Sequence, residues 1–147
     1  KLLVVIGVFF VIIWIAVLLY GNDLMKGIHI PLSLVIFLYI GYGIFMNIQR
    51  PKLIQKVTSE FSENKENAIS SELKRTTKDN KTYSLMYFIW SGFTIVGLAV
   101  FFVAEKDYFK GLAMGIILLA LAGFFIDSNL HKRSKTYSEQ LEKLINS

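Results

Sequence analysis

The chain contains no cysteine. Disulfide staples, thiolate metal sites and thiol–disulfide relays are therefore excluded. A second absence says more. Residues 2–20, 30–48, 85–104 and 112–126 contain no Asp, Glu, Lys, Arg or His. Proton-coupled transport commonly relies on a carboxylate or histidine held at membrane depth, and none of these four runs offers one. A Gly-rich phosphate loop, an HExxH pair and a serine nucleophile elbow are missing as well. With no such site to fill, no cofactor is expected.

What is present is apolar and segregated. Of 147 residues, 54% are hydrophobic and 14% aromatic, with a mean hydropathy of +0.50. The charge-free runs are 19, 19, 20 and 15 residues long. The last lengthens if Tyr108 and Phe109 sit at the interface and Lys110 snorkels outward. Crossing about 30 Å of hydrocarbon takes roughly 20 apolar residues in a helix. These runs predict an all-α integral membrane protein with four transmembrane helices. Residues 1–49 form a first hairpin, 50–82 a basic connector, 83–130 a second hairpin, and 131–147 an amphipathic tail. The first run carries no small-x-small cleavage signal, so it reads as an uncleaved anchor rather than a signal peptide.

The basic residues set an orientation. Thirteen Lys and Arg fall before the first run, between the second and third, or after the fourth; only Lys26, Lys106 and Lys110 lie on the opposite side. The positive-inside rule then puts both termini and the connector in the cytoplasm. The Lys-, Asn- and Ser-rich polar segments suit a bacterial inner membrane, the expected setting, with an organelle membrane as the alternative. The whole formal charge of +5 faces that side, because the other side balances to zero. Arg50, Lys52, Lys56, Lys132 and Arg133 are expected to meet anionic headgroups of the inner leaflet. Nucleic acid is not an expected partner: acidic residues interrupt the basic stretch, and no aromatic platform accompanies it. Leu53, Ile54, Val57 and Phe61 share a helical face, as do Tyr137, Leu141, Leu144 and Ile145. Both segments are expected to lie along the membrane surface. Residues 62–67 should break the first, and 76–81 should form a turn into the third apolar helix.

The two hairpins look like copies. Asp23-Leu24-Met25-Lys26-Gly27 and Asp107-Tyr108-Phe109-Lys110-Gly111 share the order Asp, apolar, apolar, Lys, Gly at an offset of 84 residues. Two spans per unit make these tandem parallel repeats about an axis along the membrane normal. In each turn the Asp could cap the helix and the Gly could take a positive φ. Pro31 fits the first turn of the second helix, and Tyr20 the outer interface.

Candidate packing or interaction residues are small or polar groups inside the runs: Gly41, Gly43, Ser91, Thr94, Gly111 and Gly115, with Asp127 and His131 at the end of the last. Small-xxx-small spacing at Gly111 and Gly115 serves close helix contact, within the chain or between copies. Ser91 and Thr94 are expected to bond back to the preceding turn. Asp127 either faces the bundle, where it could gate protons with His131, or meets interfacial water beside Lys132 and Arg133. His29 and His131 lie at opposite ends and cannot share a metal.

Small four-helix membrane families of this size carry signatures missing here. The charged motif in helix two of membrane glutathione transferases has no counterpart in residues 30–48. The helix-one glutamate of small multidrug exporters has none in 2–20. Cysteine-dependent quinone redox proteins need thiols. The expected function is non-enzymatic contact with another membrane protein, as an accessory subunit or as an immunity protein against a pore-forming toxin. The alternative is a small homo-oligomeric channel or exporter, with Gly111 and Gly115 at the interface and Ser91, Thr94 and Tyr42 toward a pore. A lipid-modifying enzyme would instead need Asn47, Gln49, Asp127, Asn129 and His131 to converge.

Overall fold

The computed structural model describes residues 2–145, apart from the side chains of Leu2 and Tyr20. Lys1, Asn146, Ser147 and the Tyr20 ring expected at the outer interface lie outside the described residues. Four helices make up the chain: α1 (Leu2–Tyr20), α2 (Asp23–Glu63), α3 (Lys65–Val103) and α4 (Asp107–Ile145). The all-α membrane class is borne out. Three helices, α2 to α4, are long and apolar enough to cross a membrane, and α1 is a shorter apolar helix. At 1.5 Å per residue, α1 is about 28 Å long and α2 to α4 are about 60 Å.

The connections are shorter than the sequence suggested. Between α1 and α2 lie only Gly21 and Asn22, and Asn22 Oδ1 accepts the Met25 N–H at 3.0 Å. Asn22 is the cap, and Asp23 opens the first turn, where its charge suits the helix dipole. Lys26, 2.9 Å away, holds the Asp23 carboxyl below its usual range through a hydrogen bond and its charge. Asn64 alone separates α2 from α3. Its N–H donates to the Glu60 carbonyl at 2.9 Å, ending α2, and its Oδ1 accepts the Asn67 N–H at 3.0 Å, starting α3. No described residue has a positive φ, so Gly27 and Gly111 do not serve as turn glycines.

Three further expectations are corrected. Pro31 lies well inside α2, which begins at Asp23; its ring removes the hydrogen bond to the Gly27 carbonyl, as Pro51 does for Asn47. The basic segments continue the membrane helices without a break instead of forming separate surface helices. Residues 76–81 are helical throughout, and residues 65–82 pair with 131–145 in a stalk. Ala68, Ile69 and Leu141 are buried there.

The helices pair as α1 on α2 and α3 on α4, and the two hairpins join through α2 and α4. That joint is where the glycines act. A Cβ added at Gly27 would run into the Tyr108 carbonyl, and one at Gly111 would run into the Leu24 carbonyl. The two contacts exchange under the 84-residue offset, because Tyr108 matches Leu24 and Gly111 matches Gly27. Pro31 meets its own counterpart, Gly115, at 2.8 Å from an added Cβ. The joint is therefore a parallel, in-register contact with twofold character, which gives the repeated turn motif its physical meaning. Farther along, Leu32, Val35 and Tyr39 of α2 close on Ala122 and Ile126 of α4, with Phe10 and Trp14 of α1 packed against them.

If backbone contact is the reason for these glycines, Gly27→Ala and Gly111→Ala should each lower stability in detergent by about 1–3 kcal/mol. Gly41→Ala, where an added Cβ meets only the Phe37 ring at 3.9 Å, should leave it unchanged or raise it. Thermal melts followed by circular dichroism check both.

Candidate functional site

The polar residues gather at the basic end of the bundle, on two faces of α4. One face meets α3. Residues spaced by seven line this contact: Ile69, Thr76, Tyr83, Trp90 and Gly97 on α3, and Ala113, Ala120, Asp127, Ser134 and Leu141 on α4. Heptad spacing keeps one side of each long helix on its neighbour. At the Gly97 end the seam is small and apolar: Gly97 abuts Ile117 and the Ala113 carbonyl, and Gly123 abuts the Trp90 ring. Its middle is polar. The Trp90 indole N–H donates to Asp127 Oδ2 at 2.6 Å. The Tyr87 ring stacks on His131 at 5.6 Å, and the Tyr83 ring lies 6.1 Å from the same imidazole. Asn80 Nδ2 donates to Ser138 Oγ at 3.4 Å.

The seam ends on a buried acid. Glu72 is 5% exposed; its Oε2 accepts from Arg75 Nη2 at 2.6 Å and from the Tyr137 hydroxyl at 3.3 Å. A buried carboxylate needs such partners, since leaving one uncompensated costs several kcal/mol. Burial pushes the Tyr137 hydroxyl up from the ordinary tyrosine value, and the Glu72 charge and hydrogen bond add to the rise. Among the described residues, Arg75 Nε, Asn80 Oδ1, His131 Nδ1 and Ser134 Oγ are buried on this seam without a hydrogen-bond partner. Groups of that kind are the ones buried water serves.

The other face of α4 meets α2 and leaves a groove of about 260 Å³. Leu3 of α1, Tyr42, Gly43 and Met46 of α2, and Phe125, Ile126 and Leu130 of α4 form its apolar wall; Asn47, Arg50, Asn129 and Arg133 form its polar end. Gly43 keeps the groove floor thin, with Val4 Cγ2 only 2.9 Å from where a Cβ would stand.

The residues singled out from sequence are thus sorted onto different surfaces. Asp127 faces the bundle, but its partner is Trp90; His131 stacks on Tyr87. Neither Lys132 nor Arg133 pairs with Asp127 among the described residues. Thr94 Oγ1 bonds back to the Trp90 carbonyl at 2.9 Å, as expected, whereas Ser91 is exposed. Gly111 and Gly115 are consumed inside the chain, against Leu24 and Pro31. Gly41 is half-buried with an open flank. Lys52 and Lys132 are exposed, and Lys56 reaches Glu60 at 3.7 Å. Of the five polar residues considered for interfacial chemistry, Asn47 and Asn129 line the groove, Asp127 and His131 belong to the seam, and Gln49 is exposed. Among the described residues, no three His, Asp or Glu side chains group as a metal would need. Trp90 and Glu72 are not singled out by the sequence, and Tyr137 appears there only on the apolar face of the tail; the seven-residue spacing on α3 is the available signal for Trp90. No family model, curated protein or solved structure matches the chain.

The stalk contact has a pH signature. Tyr137 is raised, so the stability it contributes is fully present below the ordinary tyrosine value near 10. It is lost as pH rises through the higher folded value. Tyr137→Phe should abolish that alkaline loss of stalk helicity, and Glu72→Gln should move tyrosinate formation at Tyr137 to lower pH. Alkaline titration by tyrosinate absorbance and circular dichroism reads both.

Proposed function

We propose that the protein works by contact in a membrane, docking against another membrane protein as an accessory subunit or as an immunity protein that blocks a pore-forming toxin. One observation carries this reading. Thr94, Asp127, Gly111 and Gly115 are engaged within the chain, Ser91 and Gly41 stay open, and the helices that flank the α2–α4 joint turn bulky apolar faces outward. On α3, Phe88 is 78% exposed and Phe102 80%, with Ile95 between them on the same side. On α1, Val5, Phe9 and Ile12 are exposed in the same way. In lipid such a face costs little; against a partner it supplies the dispersion contacts that drive helix association. The expected setting is a bacterial inner membrane with both termini in the cytoplasm. There the stalk would project inward, and Lys52, Lys56 and Lys132 would rest among anionic headgroups.

Affinity purification in mild detergent from native membranes tests the reading. A stoichiometric membrane protein is expected to co-purify, and Phe88→Ala/Ile95→Ala/Phe102→Ala should release it while leaving the chain helical. A clean homo-oligomer without any partner would overturn the reading in favour of a channel or exporter.

A further inference from the structure

The groove between α2 and α4 is more than a dent in the basic surface. Its two arginines approach from different helices, Arg50 past the end of the apolar run of α2 and Arg133 past that of α4. Among the described residues, neither has a carboxylate within ion-pair distance, whereas Arg75 and Lys56 each hold one. Two side-chain amides, Asn47 and Asn129, lie at the same end. Because Pro51 has no N–H, the Asn47 carbonyl there also lacks its helical donor. Directly beyond this polar end the wall becomes apolar, through Met46, Leu130, Ile126 and Leu3. The change occurs where charged sequence meets charge-free sequence on both α2 and α4, which is the level of a membrane interface.

We propose that this groove binds one anionic glycerophospholipid. The lipid phosphate sits between Arg50 and Arg133, whose planar guanidiniums suit bidentate contact with phosphate oxygens. Asn47 faces the ester oxygens; Asn129, whose Nδ2 already donates to the Phe125 carbonyl at 2.8 Å, offers its Oδ1 to a headgroup hydroxyl, and the upper methylenes of one acyl chain lie along Met46, Ile126 and Leu3. A volume of about 260 Å³ is too small for a whole lipid. The rest of the chains extends along the exposed apolar surface into the bilayer. Such a lipid joins α2 and α4 where the Gly27–Gly111 contact, at the opposite end, cannot reach. The site differs from the diffuse attraction of an anionic leaflet for any lysine, and the difference is testable.

Native mass spectrometry of the full chain in detergent, titrated with phosphatidylglycerol or phosphatidylcholine, makes the test. One phosphatidylglycerol should be retained, at least about tenfold more tightly than phosphatidylcholine. Arg50→Gln/Arg133→Gln should lower its affinity about tenfold or more. Lys52→Gln/Lys132→Gln, which removes the same charge from exposed positions on the same helices, should change it less than twofold. Equal losses in both double variants would overturn the proposal in favour of diffuse charge. Equal retention of phosphatidylcholine would overturn it in favour of simple apolar filling. Full displacement by inorganic phosphate or glycerol phosphate would reduce the groove to an anion site that ignores the acyl chain. All four positions are exposed, and circular dichroism confirms that the variants stay folded. The outcome is independent of whether a protein partner is found.

Discussion

The fold depends on how closely two backbones approach at Gly27 and Gly111. In a bilayer, helices gain little hydrophobic energy by meeting, so association rests on packing, and packing is best where backbones nearly touch. The α2–α4 contact meets that condition twice, once from each helix, with carbonyls lying where side chains would otherwise be. Everything else is arranged around it. α1 is held by α2, α3 by α4, and the two hairpins communicate chiefly through this joint. The loops can be as short as one residue because every helix runs antiparallel to the one before it in sequence.

α4 carries two roles on two faces. Toward α3 it keeps a seven-residue repeat that begins with alanines, turns polar at Asp127, His131, Ser134 and Ser138, and closes on Leu141. The polar middle spans the depth at which an apolar helix leaves lipid for water. A continuous apolar seam would stabilise the pair without fixing its register. The Trp90–Asp127 and Tyr137–Glu72 bonds, at separate levels, admit one register only, at the cost of burying groups that need partners. Toward α2 the same helix leaves the groove, where two arginines without an ion pair among the described residues stand above an apolar wall.

How much of this the sequence disclosed follows from what each feature looks like locally. Charge-free runs announce membrane helices at any offset, and the four of them are the apolar parts of the four helices. The matching pentads at residues 23–27 and 107–111 point to the symmetry of the joint, but their shared glycines serve helix contact, not turn geometry. The stalk pairing carries little hydrophobic signal. Leu53, Ile54, Val57 and Phe61 form a conspicuous apolar face, but the buried contacts of the stalk are made elsewhere, with Glu72 and Thr76 among them. A seam of Thr, Asn, Tyr, Trp and Asp has period seven but little hydrophobic signal. Residues 76–81 read as a turn because their composition favours turns, and pairing with α4 overrode it. Asp127 and His131 were legible as notable residues; which helix each would face was set by packing 37 residues or more away.

Disulfide trapping tests the central claim, that the hairpins meet in parallel register at the glycine joint. The chain has no cysteine of its own, so an introduced pair reports without interference. Ile28 and Leu112 are counterparts under the 84-residue offset and flank the Gly27–Gly111 contact. The double variant Ile28→Cys/Leu112→Cys should close an intramolecular disulfide rapidly under mild oxidation in membranes, whereas Ile28→Cys/Leu119→Cys, displaced by seven residues, should stay reduced. Closure of the displaced pair, or of neither, would contradict the joint on which the rest of the structure is built.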